Sequence, residues 1–107
     1  QKKILIVDDQ VFNIDALLIV LGICLRVKID TVCEKATSGE DALRKIMDNV
    51  DENEEQFCNY SLILMDCNMP FMDGYESTAK IRQYLYNKGI MQPIIIAVTG
   101  HTENKYI

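Results

Sequence analysis

The sequence holds one histidine, His101, and its four cysteines, Cys24, Cys33, Cys58 and Cys67, nowhere form a Cys-x-x-Cys pair. So few soft ligands argue against a zinc site, and free thiols in a reducing cytoplasm are the expected state. Basic clusters are missing too. Eleven Lys and Arg stand against sixteen Asp and Glu, for a net charge of −5, which argues against direct nucleic-acid binding by this segment. No apolar run nears the ~18 residues a membrane span needs, because Asn13, Asp15 and Gly22 break the richest stretch, residues 11 to 25. Gln1-Lys2-Lys3 leads into a strand pattern instead of a signal peptide's layout, so no membrane contact by this segment is expected. The 107 residues suffice for one domain with a real core and are few for a complete enzyme.

What is present centres on Leu62-Ile63-Leu64-Met65-Asp66, an apolar run ending in a carboxylate and followed by Cys67-Asn68-Met69-Pro70-Phe71-Met72-Asp73-Gly74. Such a run, bounded by turn residues, suits a strand buried on both faces. In open parallel sheets, ligands bind just beyond the carboxyl ends of such strands. Asp66 is therefore expected at a mouth.

Residues 2 to 9 read as a first strand ending in Asp8-Asp9. Helical spacing of Ile14, Leu17, Leu18, Leu21 and Leu25 predicts a first helix from residue 11 to about 22, capped by Asp9 or a neighbour. Residues 31 to 36 make a weaker strand that Glu34 and Lys35 mark as an edge. Ser38 and Asp41 form a capping box for a second helix with an apolar stripe of Ala42, Leu43, Ile46, Met47 and Val50. The acidic run at residues 51 to 55 reads as a solvated insertion at a helix end, or else as a docking patch for a basic partner. Residues 75 to 87 form a third helix, with Thr78, Ile81, Arg82 and Leu85 on one face and a stop at Lys88-Gly89. Residues 93 to 99 form a fourth, wholly apolar strand. The alternation predicts an α/β fold, a doubly wound parallel sheet in the order 2-1-3-4 with helices on both faces. Strand four would then be a bare apolar edge, an aggregation hazard. The domain, residues 1 to 107, is accordingly expected to be incomplete at its C-terminus, with a fifth strand and further helices beyond it.

That order brings Asp8, Asp9 and Asp66 to one switch point. Three carboxylates there repel one another when empty and suit magnesium, which keeps waters that a phosphate can replace. A carboxylate can also attack phosphorus to give an acyl phosphate. Asp66 suits the nucleophile, Asp8 and Asp9 the metal, and Thr99, ending strand four, a hydroxyl donor to a phosphoryl oxygen. Taken alone, Asp8-Asp9 would read as helix capping.

Four segments resemble the receiver domains of two-component response regulators: Ile6-Val7-Asp8-Asp9, Ala36-Thr37-Ser38-Gly39-Glu40-Asp41-Ala42-Leu43, Met65 to Gly74, and Ala97-Val98-Thr99-Gly100. The resemblance implies a flavodoxin-like fold and phosphorylation on Asp66. It implies Mg2+, or Mn2+, held by Asp8, Asp9, Asp66 and the backbone carbonyl of Asn68. Thr99 would be the switch hydroxyl. Asn68 and His101 would modulate how long the phosphoryl group lasts, although His101 also reads as a solvent-facing loop residue. The implied partner is a histidine kinase or a histidine phosphotransfer protein, with a homodimer as another possibility, in the cytoplasm or on the cytoplasmic part of a membrane-associated sensor kinase. Asp9-Gln10-Val11-Phe12-Asn13 resembles the start of receivers in hybrid histidine kinases. The family's phosphoryl-binding lysine, at the end of strand five, has no counterpart, since Lys105 follows Thr99 too soon, and Tyr106 does not replace the aromatic switch residue. Such a domain would catalyse its own phosphorylation without being a free-standing enzyme. Other readings are a pseudo-receiver that binds partners without phosphorylation, and a haloacid-dehalogenase-like phosphatase, which would want Asp where Asn68 stands. A dinucleotide-binding domain fails for want of a Gly-x-Gly-x-x-Gly turn after the first strand.

Overall fold

The computed structural model describes residues 2–26 and 28–98. Four parallel strands, β1 (Lys3–Val7), β2 (Cys33–Ala36), β3 (Tyr60–Asp66) and β4 (Ile94–Val98), alternate with the helices α1 (Val11–Leu25), α2 (Gly39–Glu52) and α3 (Gly74–Lys88). The sheet order is β2-β1-β3-β4, as the sequence predicts. The central pairing of β1 with β3 shifts register between Lys3 and Ile4 and is regular from there to the site, with Val7 opposite Met65 and, across β3 and β4, Asp66 opposite Val98.

Alternation along each strand divides the core. Leu5, Val7, Ile63 and Met65 point to one face and pack with Ala42, Ile46 and Val50 of α2 and Ile81 and Leu85 of α3. Ile6 points to the other face, where Ile14 of α1 seals it with Leu17, Leu18 and Leu21 around it. Each fully buried aliphatic side chain contributes about 1.5–3 kcal/mol, so the strands' two-sided apolarity fixes helices on both faces. Among the described residues only α1 covers the second face. Ile94 and Ile96 of β4 are 65% and 48% exposed, in keeping with the edge that the sequence predicts.

Several local expectations need correction. Gly22 does not end α1, which runs on to Leu25 and closes at Arg26 in the left-handed conformation (φ 55°). One glycine costs a helix about 1 kcal/mol, too little to stop a run with apolar residues on both sides. Leu25 and Met47, assigned to buried stripes, are 48% and 39% exposed: Leu25 is the last residue of α1, and Met47 lies to one side of the line Ala42, Ile46 and Val50 that meets the sheet. Ile29–Thr31 is a turn of 3-10 helix, so β2 starts at Cys33 instead of residue 31. The acidic segment at residues 51 to 55 spans the last turn of α2 and an exposed tight turn, in which Glu54 and Glu55 both take positive φ.

The Ser38–Asp41 capping box exists in modified form. Ser38 Oγ accepts from the Asp41 N–H at 2.9 Å, and the Asp41 carboxylate accepts from the Thr37 N–H, one residue before the cap. Gly89, in the left-handed conformation, ends α3 as expected. All four cysteines are free thiols, and among the described residues no helix is long and apolar enough to cross a membrane.

Candidate functional site

Asp8 follows β1 directly and Asp66 is the last residue of β3, so two adjacent parallel strands deliver their acids to one end of the sheet. Asp8 is 6% exposed, Asp66 is 9% exposed and Asp9 is half-buried. One carboxylate oxygen from each lies within 4.8 Å of the other two. Among the described residues this is the one group of three or more such ligands that close together.

Backbone donors hold the acids in place. Asp8 Oδ1 accepts from the Gln10 N–H at 2.9 Å, and Asp66 Oδ1 accepts from the Asn68 N–H at 3.1 Å. Helix capping does not use the acids: Gln10 occupies the N-cap position of α1 and gives it no side-chain bond. Of the residues the sequence offers for this cap, Asp9 or a neighbour, it is the neighbour Gln10 that takes the position. Burial pushes the Asp66 carboxyl above the usual carboxylate range, and the charges of Asp8 and Asp9 push it the same way against the Asn68 N–H. Three acids crowded like this favour a hard divalent cation, which replaces mutual repulsion by attraction.

The acids open onto a cavity of about 510 Å³, whose wall includes Gln10, Asn13 and Asn68. Two glycines let the surrounding backbone crowd in. A Cβ on Gly74 would lie 2.1 Å from the Asp66 carbonyl oxygen, and one on Gly39 would lie 2.6 Å from that of Met72. Ser77 Oγ, fully buried, donates to the Gly39 carbonyl at 3.0 Å. The first turns of α2 and α3 are thus locked together behind Asp66.

The structure brings Asp8, Asp9 and Asp66 together and places Asn68 on the wall of the same cavity, its N–H on Asp66. Thr99 and His101 lie outside the described residues. Sequence reasoning placed Gly74 in the loop after Asp66 and Asn13 in the segment Asp9 to Asn13, but named neither as a site residue. A helix-period count from Gln10 would have put Asn13 on the turn that faces the acids, whereas the close approach at Gly74 leaves no local signal.

The model of the response regulator receiver domain family matches residues 4–107. The chain belongs to that family. This receiver is 38% identical over 104 residues to histidine kinase CKI1 of Arabidopsis thaliana, covering 94% of this chain and 9% of that protein. It is 34% identical over 99 residues to hybrid signal transduction histidine kinase L of Dictyostelium discoideum, covering 92% of this chain and 5% of that protein. The crystal structure of the CKI1 receiver domain complexed with Mg2+ and BeF3− superposes with a TM-score of 0.75 at 36% identity, over 94% of this chain and 66% of that one. The receiver thus spans under a tenth of these curated relatives.

Proposed function

We propose that this receiver accepts a phosphoryl group from a phosphohistidine onto Asp66 and signals by changing conformation. The observation that carries this reading is the trio of strand-end carboxylates with oxygens within 4.8 Å of one another. The Asn68 N–H holds one Asp66 oxygen and so orients the carboxylate, whose other oxygen attacks phosphorus. The new bond is Asp66 O–P. The P–N bond to the donor imidazole breaks, and its electron pair stays on the ring nitrogen. Asp8, Asp9, Asp66 and the Asn68 carbonyl would hold Mg2+, or Mn2+ with similar oxygen ligands. The bound cation would offset the charge on the phosphoryl oxygens.

Thr99 is proposed as the switch hydroxyl, with Asn68 and His101 setting phosphoryl lifetime. The donor would be a histidine kinase or phosphotransfer protein in the cytoplasm, and the hybrid kinases among the relatives support that choice. The test is intact-mass spectrometry after incubation with acetyl phosphate and magnesium. One added phosphoryl group, absent from Asp66→Asn and from metal-free samples, is expected. A folded protein that takes no label, under conditions that label another receiver, would favour the pseudo-receiver.

A further inference from the structure

The outer face of α1 differs from those of the other two helices. Exposed positions on α2 and α3 are mostly polar, such as Glu40, Arg44 and Asp48, or Glu76, Lys80 and Gln83. On α1 the line Phe12, Ala16, Ile19 and Ile23 is apolar and exposed. Phe12 is 82%, Ile19 64% and Ile23 71% open to solvent. At about 100° per residue, this line lies opposite Ile14, Leu17, Leu18 and Leu21, which pack toward the sheet. A helix laid beside α1 on the same sheet face would meet its flank and leave the line open, because sheet and helices stack as layers. A contiguous apolar strip of this kind marks an interaction surface.

Two features fit the strip to a second copy of this chain. Its spacings of four, three and four residues read the same from either end, so a two-fold axis between Ala16 and Ile19 maps the line onto itself. Antiparallel pairing would set Phe12 against Ile23 of the other copy and Ala16 against Ile19. A small residue then faces a large one at the centre, as close helix packing requires. The two ends of α1 also carry opposite charge. Asp8 and Asp9 precede its first turn, whereas Arg26 and Lys28 follow its last. Both basic side chains are exposed, and neither forms an ion pair among the described residues. The same pairing would bring Arg26 of each copy level with Asp9 of the other. A second copy thus supplies the apolar line, its symmetry and the complementary charges at once.

We infer that this receiver self-associates as a two-fold dimer, through antiparallel pairing of α1 along Phe12, Ala16, Ile19 and Ile23. The pairing does not depend on phosphorylation of Asp66. A seam of one helix pair falls below the ~1,200 Å² where standard interfaces begin. The dimer therefore belongs to the weak, transient class.

The experiment is sedimentation equilibrium of the chain at concentrations up to about 1 mM, the range of weak encounters. It compares wild type with Ile19→Glu, Ala16→Leu and Arg26→Glu, each checked for folding by circular dichroism. All three positions are exposed, so the substitutions leave the core intact. Wild type should dimerise. Ile19→Glu should raise the dissociation constant by roughly tenfold, because it places two like charges in the seam. Ala16→Leu should raise it as well, since the larger side chain crowds the point of closest approach. Indiscriminate apolar sticking predicts the reverse, because Leu enlarges the strip. Arg26→Glu should weaken the dimer several-fold at low salt, with the difference fading as salt rises. A chain that stays monomeric throughout would overturn the inference and leave the strip to a helix of another protein. A dimer unchanged by Ile19→Glu, or tightened by Ala16→Leu, would also overturn it and put the contact elsewhere. Neither result bears on the labelling of Asp66.

Discussion

A methyl group on Gly74 would have to displace the Asp66 carbonyl oxygen, 2.1 Å from where its carbon would sit, or the Cys67 Cα at 2.9 Å. Both are backbone atoms that cannot swing aside. Gly74→Ala should therefore destabilise by about 2–3 kcal/mol, at the upper end for overpacking, and urea unfolding would measure it. A midpoint equal to wild type would disprove the close contact. Asp66 poses the opposite case. With its pKa raised in the folded state, the ionised carboxylate works against folding. The penalty is full above the raised pKa, shrinks as pH falls through it, and vanishes below the ordinary carboxylate range. In chelator, Asp66→Asn should thus melt higher than wild type at neutral pH, with the gap closing toward pH 4. The acids were legible in the sequence because each ends an apolar run. The close approach at Gly74 was not, because it depends on how the loop after Asp66 closes back on the strand end.

The helices and strands were legible by period, and helix ends by chemistry where a capping side chain or, at Gly89, a glycine marked them. Ser38 was readable and its bond is made; Ser38→Ala should cost about 1 kcal/mol in thermal or urea unfolding. Arg26 was not readable as the end of α1, since nothing in its side chain announces φ 55°. Arg26→Gly relieves that conformation and should stabilise by about 0.5–1 kcal/mol, read from the same curves. At the edge strand β2, Glu34 interrupts the apolar pattern for a reason the sequence hides. It pairs with Lys3 of β1 at 2.7 Å and accepts from the Tyr60 hydroxyl of β3 at 2.6 Å. The Lys3 hydrogen bond, then that of Tyr60, holds its carboxyl below the usual range. The resulting stability is present above the ordinary carboxylate pKa and lost as pH falls through the lowered one. Because Glu34 is partly exposed, its share is under about 1 kcal/mol. Glu34→Gln should flatten that part of the pH profile between about pH 5 and 3.

For the molecule as a whole, strand order followed from handedness and from one strand's mixed character, both visible in the sequence. The meeting of Asp8, Asp9 and Asp66 followed from that order. A ligand held by three acids from two strands stabilises the folded chain by an amount that grows with the logarithm of its concentration above the dissociation constant. Magnesium at ten times its dissociation constant should add about 1.4 kcal/mol, seen as a rise of several degrees in the melting midpoint. Chelation should reverse it, and Asp8→Asn should blunt it. A midpoint that magnesium does not move would remove the metal site.

The contact between Gly74 and the Asp66 backbone also bears on how such a chain can diverge. The segment between them is held at both ends, so its letters can change while its length cannot. One residue added or lost there would lift α3 off the strand end and shift the acids with it. The exposed turn at Glu54 and Glu55 is tied by polar side chains instead, Asn53 to Asn59 at 2.8 Å and Glu55 to Lys88 at 3.0 Å, and no backbone there is pressed against another. Among related genes, gaps and extra codons should collect at that turn and spare the stretch from Asp66 to Gly74.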